Sequence, residues 1–133
     1  MPRPAGNLLG RQIGMNENVY WVLELAVQPG RLNEFRSLMQ EMVEAARTQE
    51  PGTLNYEWNI SGDGTACHIY VRYRDPAAVM AHMAVFGARF TDRFVALAKI
   101  TRMVVYGAPG AEVKQALAPY GPVYLAPFGG FKR

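Results

Sequence analysis

Apolar and polar positions along the chain alternate first with the period of a strand and then with that of a helix. In VYWVLELAV, residues 19–27, Val19, Trp21, Leu23, Leu25 and Val27 share one face of a β-branched and aromatic run, which predicts a strand. Gln28-Pro29-Gly30 ends it. From Arg31 the period becomes that of a helix. Phe35, Leu38, Met39, Met42, Val43 and Ala46 form an apolar stripe opposite Arg36, Gln40, Glu41, Glu44 and Arg47, and Pro51-Gly52 stops the element. Residues 53–60 (TLNYEWNI) and 66–73 (ACHIYVRY) predict two strands around the turn signature Ser61-Gly62-Asp63-Gly64. Asp75-Pro76 supplies an N-cap and a proline at the first helical position. The helix that follows turns Val79, Met80, Met83 and Phe86 inward. Gly87 is expected to break it, and a second piece carries Phe90, Phe94 and Leu97. Residues 100–106 return as a strand, and a short helix is expected near 111–118.

The order β-α-β-β-α-β predicts an α+β, ferredoxin-like fold, with a four-stranded antiparallel sheet and both helices on one face. Cys67, Ile69, Val71 and Tyr73 should meet those helices. His68, Tyr70 and Arg72 then point the other way with Tyr20, Val22, Glu24 and Ala26. A sheet face so mixed in character suits contact with a second copy, and a homodimer is expected. Residues 1–14, Pro/Gly-rich and aperiodic, read as a flexible leader, with Met15 as an alternative start. Residues 15–107 form the domain, and 108–133 form a helix and an aromatic, proline-rich arm packed on the dimer.

Composition narrows the classes. A chain of 133 residues supports one core, and 50% hydrophobic against 19% charged residues is too apolar for disorder. No run of 18 apolar residues offers a membrane span, and the first fourteen residues lack a signal-peptide core. The single cysteine, Cys67, agrees with a cytoplasmic location. The net charge of +3 misleads, because Arg3, Arg11, Lys132 and Arg133 lie in the tails, which leaves ten basic against eleven acidic residues between them. Without clustered cations, neither nucleic acid nor an anionic membrane is an expected partner.

Absent motifs decide a good deal. Gly62 and Gly64 sit in a hairpin and not between strand and helix, so no Rossmann site exists; a phosphate-binding loop and a Gly-x-Ser-x-Gly elbow are also missing. Cys67 and His68 are strand neighbours on opposite faces and cannot chelate together, so no metal site is expected. His82 falls at the edge of the buried helix stripe, between Val79 and Phe86 and near Tyr73. The plainer reading of that spacing is a partly buried histidine satisfied by a carbonyl or a water; the other is a functional imidazole between helix and sheet.

The runs Pro51-Gly-Thr-Leu-Asn-Tyr-Glu and Tyr70-x-x-Tyr-Arg-Asp75-x-Ala-Ala-x-x-Ala-His82, with Pro29-Gly30-Arg31-Leu-x-Glu-Phe35 after the first strand, resemble the antibiotic biosynthesis monooxygenase domain over about residues 17–107. The resemblance implies a dimeric α/β-barrel. It also implies a cofactor-free oxygenase that oxidises an electron-rich phenolic, quinol or polycyclic compound, with O₂ as co-substrate. His82, Tyr73 and Asn59 are then the catalytic candidates: His82 as base, Tyr73 and Asn59 as donors. Trp58, Met39, Met83, Phe86 and Phe90 are candidates for the substrate slot, against the plainer reading that they are core. Two positions depart from the family. Gly87 stands where many members carry a second histidine, and Leu23 stands where the haem-degrading branch has an asparagine, which argues against haem.

Alternation puts Leu54, Tyr56, Trp58 and Ile60 on one face of the second strand and Asn59 on the other, whereas the resemblance brings Asn59 to the pocket. A bulge would exchange the two. A non-catalytic ligand-binding or sensing dimer is the alternative function, and a purely structural role comes third. If His82 borders a cavity, its removal is expected to change stability little.

Overall fold

The structure, a computed structural model, describes residues 17–133. The expected leader, residues 1–14, lies outside them. The elements are β1 (Val19–Val27), α1 (Leu32–Gln49), β2 (Thr53–Ile60), β3 (Ala66–Tyr73), α2 (Pro76–Arg89), α3 (Thr91–Leu97), β4 (Ala98–Gly107), α4 (Gly110–Leu117), a 3-10 turn at Ala118–Tyr120 and β5 (Val123–Leu125). The sheet runs β2-β3-β1-β4-β5. Its first four strands are antiparallel in ferredoxin-like order. The expected four strands become five, because Val123–Leu125 adds to the edge of β4 in parallel register, Val105 opposite Tyr124.

Alternation in β1 works as the sequence predicts. Val19, Trp21, Leu25 and Val27 are buried with Ile69, Val71 and Tyr73 of β3 beneath Phe35, Leu38 and Met42 of α1 and Val79 of α2. Val113 and Leu117 of α4 join the same core at full burial. Asp75 caps α2 by accepting from Ala78 N at 2.9 Å, with Pro76 next to it. Gly87 does not break that helix. A glycine inside a helix costs about 1 kcal/mol but removes no hydrogen bond, and α2 runs on to Arg89 before the chain bends at Phe90, where φ is −124°.

Two irregularities in register shape the helix-facing side. The β1–β4 ladder shifts between Glu24 and Leu25, so that Glu24 pairs Arg102 while Leu25 pairs Ile100. Thr101 is the extra residue, and its Oγ1 donates to Glu24 O at 3.0 Å. Ile100 and Met103, three apart, consequently face the same way. In β2 the shift falls between Thr53 and Asn55. It leaves Leu54 exposed and turns Thr53 opposite Tyr73, toward the helices.

Gly52 fixes how closely α2 approaches β2. A Cβ there would lie 2.6 Å from Ala78 Cβ. Gly52→Ala is expected to push the start of α2 outward at a cost of about 1–3 kcal/mol. For a chain this size that lowers Tm by several degrees, measurable by calorimetry; an unchanged Tm would show that α2 yields freely.

Candidate active site

The bulge in β4, the shift in β2 and the seat of α2 converge on one apolar cavity of about 50 Å³. The sheet supplies Trp21, Leu23, Tyr56, Ile69, Val71, Ile100 and Met103 to its wall. The helices add Met42, His82, Met83, Phe86 and Phe94, and the C-terminal turn adds Leu117 and Tyr120. His82 is the one residue with a titratable nitrogen among them, and it is 9% exposed.

Its imidazole is held on three sides. Tyr56 meets it edge-on at 5.6 Å between ring centres, and Tyr73 lies tilted behind it at 5.4 Å. Nδ1 is 2.8 Å from Oε1 of Glu50, itself 4% exposed, and the same oxygen accepts from Thr53 Oγ1 at 2.9 Å. Burial alone would raise the Glu50 carboxyl. The hydrogen bond from His82, the charge of the imidazolium and the Thr53 hydroxyl outweigh it and hold the carboxyl below its ordinary value. Glu50 is therefore ionised near neutral pH and can accept a hydrogen bond from Nδ1, which leaves Nε2 without a protein partner among the described contacts. Burial, reinforced by the Glu50 charge, pushes the Tyr56 phenol up, and burial does the same to Tyr73, so both stay protonated. The Tyr73 hydroxyl is buried and has no hydrogen-bond partner among the described residues.

Because Glu50 titrates lower folded than unfolded, its contribution to stability is complete above its unfolded value near 4.5 and is lost as pH falls through the folded value. Tm, followed by calorimetry, should fall between about pH 5 and pH 3. In Glu50→Gln that part of the slope should flatten; an unaltered acid limb would mean that Glu50 gains nothing from its partners.

The sequence candidates separate. Met83 and Phe86 line the cavity with His82, and Tyr73 sits behind the imidazole outside the lining. Asn59 does not join them. The β2 shift falls upstream of it and leaves it paired with His68 on the opposite sheet face, exposed, its Nδ2 3.5 Å from His68 O. Trp58 faces the helices, as alternation predicts, but packs against Phe35, Tyr56 and Phe94. Met39 and Trp58 line a separate groove with Leu32, Phe35 and Ile60. Phe90 is buried outside the cavity, beneath the guanidinium groups of Arg89 and Arg93.

Glu50 and Tyr56 escaped the sequence reading. Glu50 had a signal: Met42, Ala46 and Glu50 are spaced by four, so a carboxylate continues the buried row of α1 directly before Pro51. Tyr56 had only its place on the apolar face of β2. Tyr120 and Leu117 had none, since both enter from beyond the ferredoxin-like repeat.

Comparison with known proteins identifies the family and the fold. The family model described as antibiotic biosynthesis monooxygenase matches residues 18–85, just over half of the chain. The chain belongs to this family. None of the curated proteins compared matches the sequence. Among solved structures, MupZ from Pseudomonas fluorescens superposes with a TM-score of 0.79 at 22% identity, over 89% of this chain and 96% of that one. SnoaB from Streptomyces nogalater, described as a cofactor-independent oxygenase, superposes with a TM-score of 0.59 at 18% identity, over 71% of this chain and 96% of that one. At these identities the likeness is one of fold. Within the family domain the match spans Glu50, Tyr56 and His82 and stops before α4 and Tyr120. Among the described residues no three His, Cys, Asp or Glu converge to hold a metal ion, and no helix is long and apolar enough to cross a membrane.

Proposed function

We propose that this chain is a monooxygenase that needs no organic cofactor or metal and oxidises a small electron-rich phenol or quinol, with His82 as general base. The observation that carries the reading is a carboxylate-backed imidazole in the wall of a largely apolar cavity. Triplet O₂ reacts slowly with closed-shell molecules, so the protein must first turn the substrate into an anion. Nε2 takes the phenolic or benzylic proton, and the imidazolium formed is stabilised by Glu50. Tyr56, neutral and in the wall, is the donor available to the anion, a role that sequence gave to Asn59 and Tyr73. The anion then reduces O₂. When a ring CH₂ becomes a carbonyl, one oxygen atom enters the product and the other leaves as water, the substrate supplying all four electrons.

The family match supports this reading, as does the fold shared with SnoaB. Size restricts the substrate. About 50 Å³ holds a few waters but no ring compound, so entry displaces side chains, most readily the unbranched Met42 and Met83 and the half-buried Tyr120. A one- or two-ring quinol fits that demand better than a large polycycle. The active form is a homodimer joined through the open sheet face, with residues 126–133 reaching over the joint.

An anthrone supplied with air and no flavin or metal should consume one O₂ per quinone formed and release water; a naphthohydroquinone, which takes up no oxygen atom, should give its quinone with one hydrogen peroxide per O₂ consumed. A second reading, general-base chemistry on a bound water or alcohol, is favoured by the same His82–Glu50 pair, since an oriented imidazole activates any acidic hydroxyl. Turnover that persists without O₂ would select it. Binding without turnover under either condition would leave a ligand-binding dimer.

A further inference from the structure

The helix that carries His82 does not by itself decide which ring nitrogen is protonated. A free neutral imidazole prefers its hydrogen on Nε2, the form that could not act as a base toward the cavity. Glu50 is 32 positions away in sequence and is placed at the end of α1, where Ala46 O accepts from its backbone N–H at 3.0 Å. Its side chain is engaged twice at one oxygen, by Thr53 and by His82, which fixes its rotamer. The Thr53 contact exists because the β2 register shift turns that residue toward the helices. Glu50 does not line the cavity and would touch no ligand there.

We propose that Glu50 is the positioning residue of this site: it imposes the Nδ1–H tautomer on His82, aims Nε2 at the cavity, and stabilises the imidazolium formed after proton transfer. The proposal deepens the reading of His82 as general base and rests on it for its catalytic part, while the tautomer stands independently of any substrate. A carboxylate behind a histidine sets ring orientation and basicity in this way. Arg93 and Glu41 pair with one another on the surface, and Glu50 is the buried charge at His82.

The test is ¹⁵N NMR of histidine-labelled protein with the His82 ring in its neutral form, assigned by comparison with His82→Gln. Wild type should show the Nδ1–H form. Glu50→Leu, which keeps an apolar volume at the site, should revert toward the Nε2–H form. Glu50→Gln, isosteric with its oxygen still pinned by Thr53, should keep the tautomer but lose the negative charge. With a hydroquinone as probe, its kcat should fall about 10–100-fold at an unchanged KM, the usual share of a residue acting through another. An Nε2–H wild type, or a Glu50→Leu protein with the wild-type tautomer, overturns the proposal. Should Glu50→Leu fail to fold, the wild-type tautomer and the kcat of Glu50→Gln each still decide it. A wild type that shows the Nδ1–H form and oxidises nothing refutes the oxygenase reading while leaving the positioning role intact.

Discussion

His82→Ala should slow oxidation of a hydroquinone or anthrone by about 10²–10⁴-fold, the usual share of a general base, and should also lower stability by about 2 kcal/mol. The second half reverses the expectation drawn from sequence, where a histidine bordering a cavity could be removed at little cost. The structure shows why. Removing the imidazole strands Glu50, 4% exposed, with only the Thr53 hydroxyl at its buried oxygen. A carboxylate left without its partner loses a charge-assisted hydrogen bond, worth about 1.5–3 kcal/mol. A loss of that size lowers Tm by roughly 6–12 °C in a chain of this length. The pairing makes a control possible. The double substitution His82→Leu with Glu50→Leu removes both polar partners together, so it should recover most of the lost stability while staying inactive. Turnover at the wild-type rate in a folded His82→Ala protein would remove His82 from the chemistry. An inactive protein of unchanged Tm would mean that Glu50 finds a substitute partner, most plainly a water.

What could be read in the sequence, and what could not, divides along local and long-range physics. Strand alternation in β1 and β3 and the stripe of α1 are local signals, and they place the core correctly at Trp21, Leu25, Ile69, Val71, Phe35 and Leu38. The Asp75-Pro76 cap is local too, and it forms. Trp58 and Asn59 could not be placed, because a single displaced residue anywhere in β2 exchanges its faces. The displacement sits at Leu54, upstream of both, so alternation holds for Trp58 and Asn59 and fails at Thr53 and Leu54. Gly87 misled for the opposite reason: its cost is intrinsic and small, and packing along α2 overrides it. The site was half legible. Met83 and Phe86 share the His82 face of a helix, so spacing finds them. Tyr56, Ile100, Met103 and Tyr120 reach the cavity from three other elements through pairings that no periodicity encodes. Glu50 lay in plain view as a charged residue in an apolar row, yet its meaning depends on where α2 comes to rest.

Tyr20→Lys should convert a dimer into folded monomers at micromolar concentration. The open face of the sheet is built around Tyr20, which stacks on Tyr106 at 5.2 Å, meets Tyr70 edge-on at 6.4 Å and lies under the Arg72 guanidinium at 4.3 Å. Arg72 is itself fixed by hydrogen bonds to Tyr70 Oη and Asn18 Oδ1, at 3.0 and 2.8 Å. Tyrosine and arginine are the residue types that dominate interfaces, and here they form a rigid, half-buried cluster on three neighbouring strands. All four helices pack on the other face, so nothing else in the described chain covers this one. From the end of β5 onward the chain carries the exposed apolar side chains Leu125, Phe128 and Phe131, which a second copy on this face would help to cover. An obligate contact of this kind buries more than about 2,000 Å². In a twofold arrangement each substitution acts twice, so losing a central anchor worth about 2 kcal/mol per copy weakens association by roughly 10³-fold. The core face is untouched by Tyr20→Lys, so the far-ultraviolet spectrum should be retained while sedimentation reports half the mass. A wild type that sediments as a stable monomer at micromolar concentration would dispose of the dimer altogether. A Tyr20→Lys protein that remains a dimer would move the contact to a different surface.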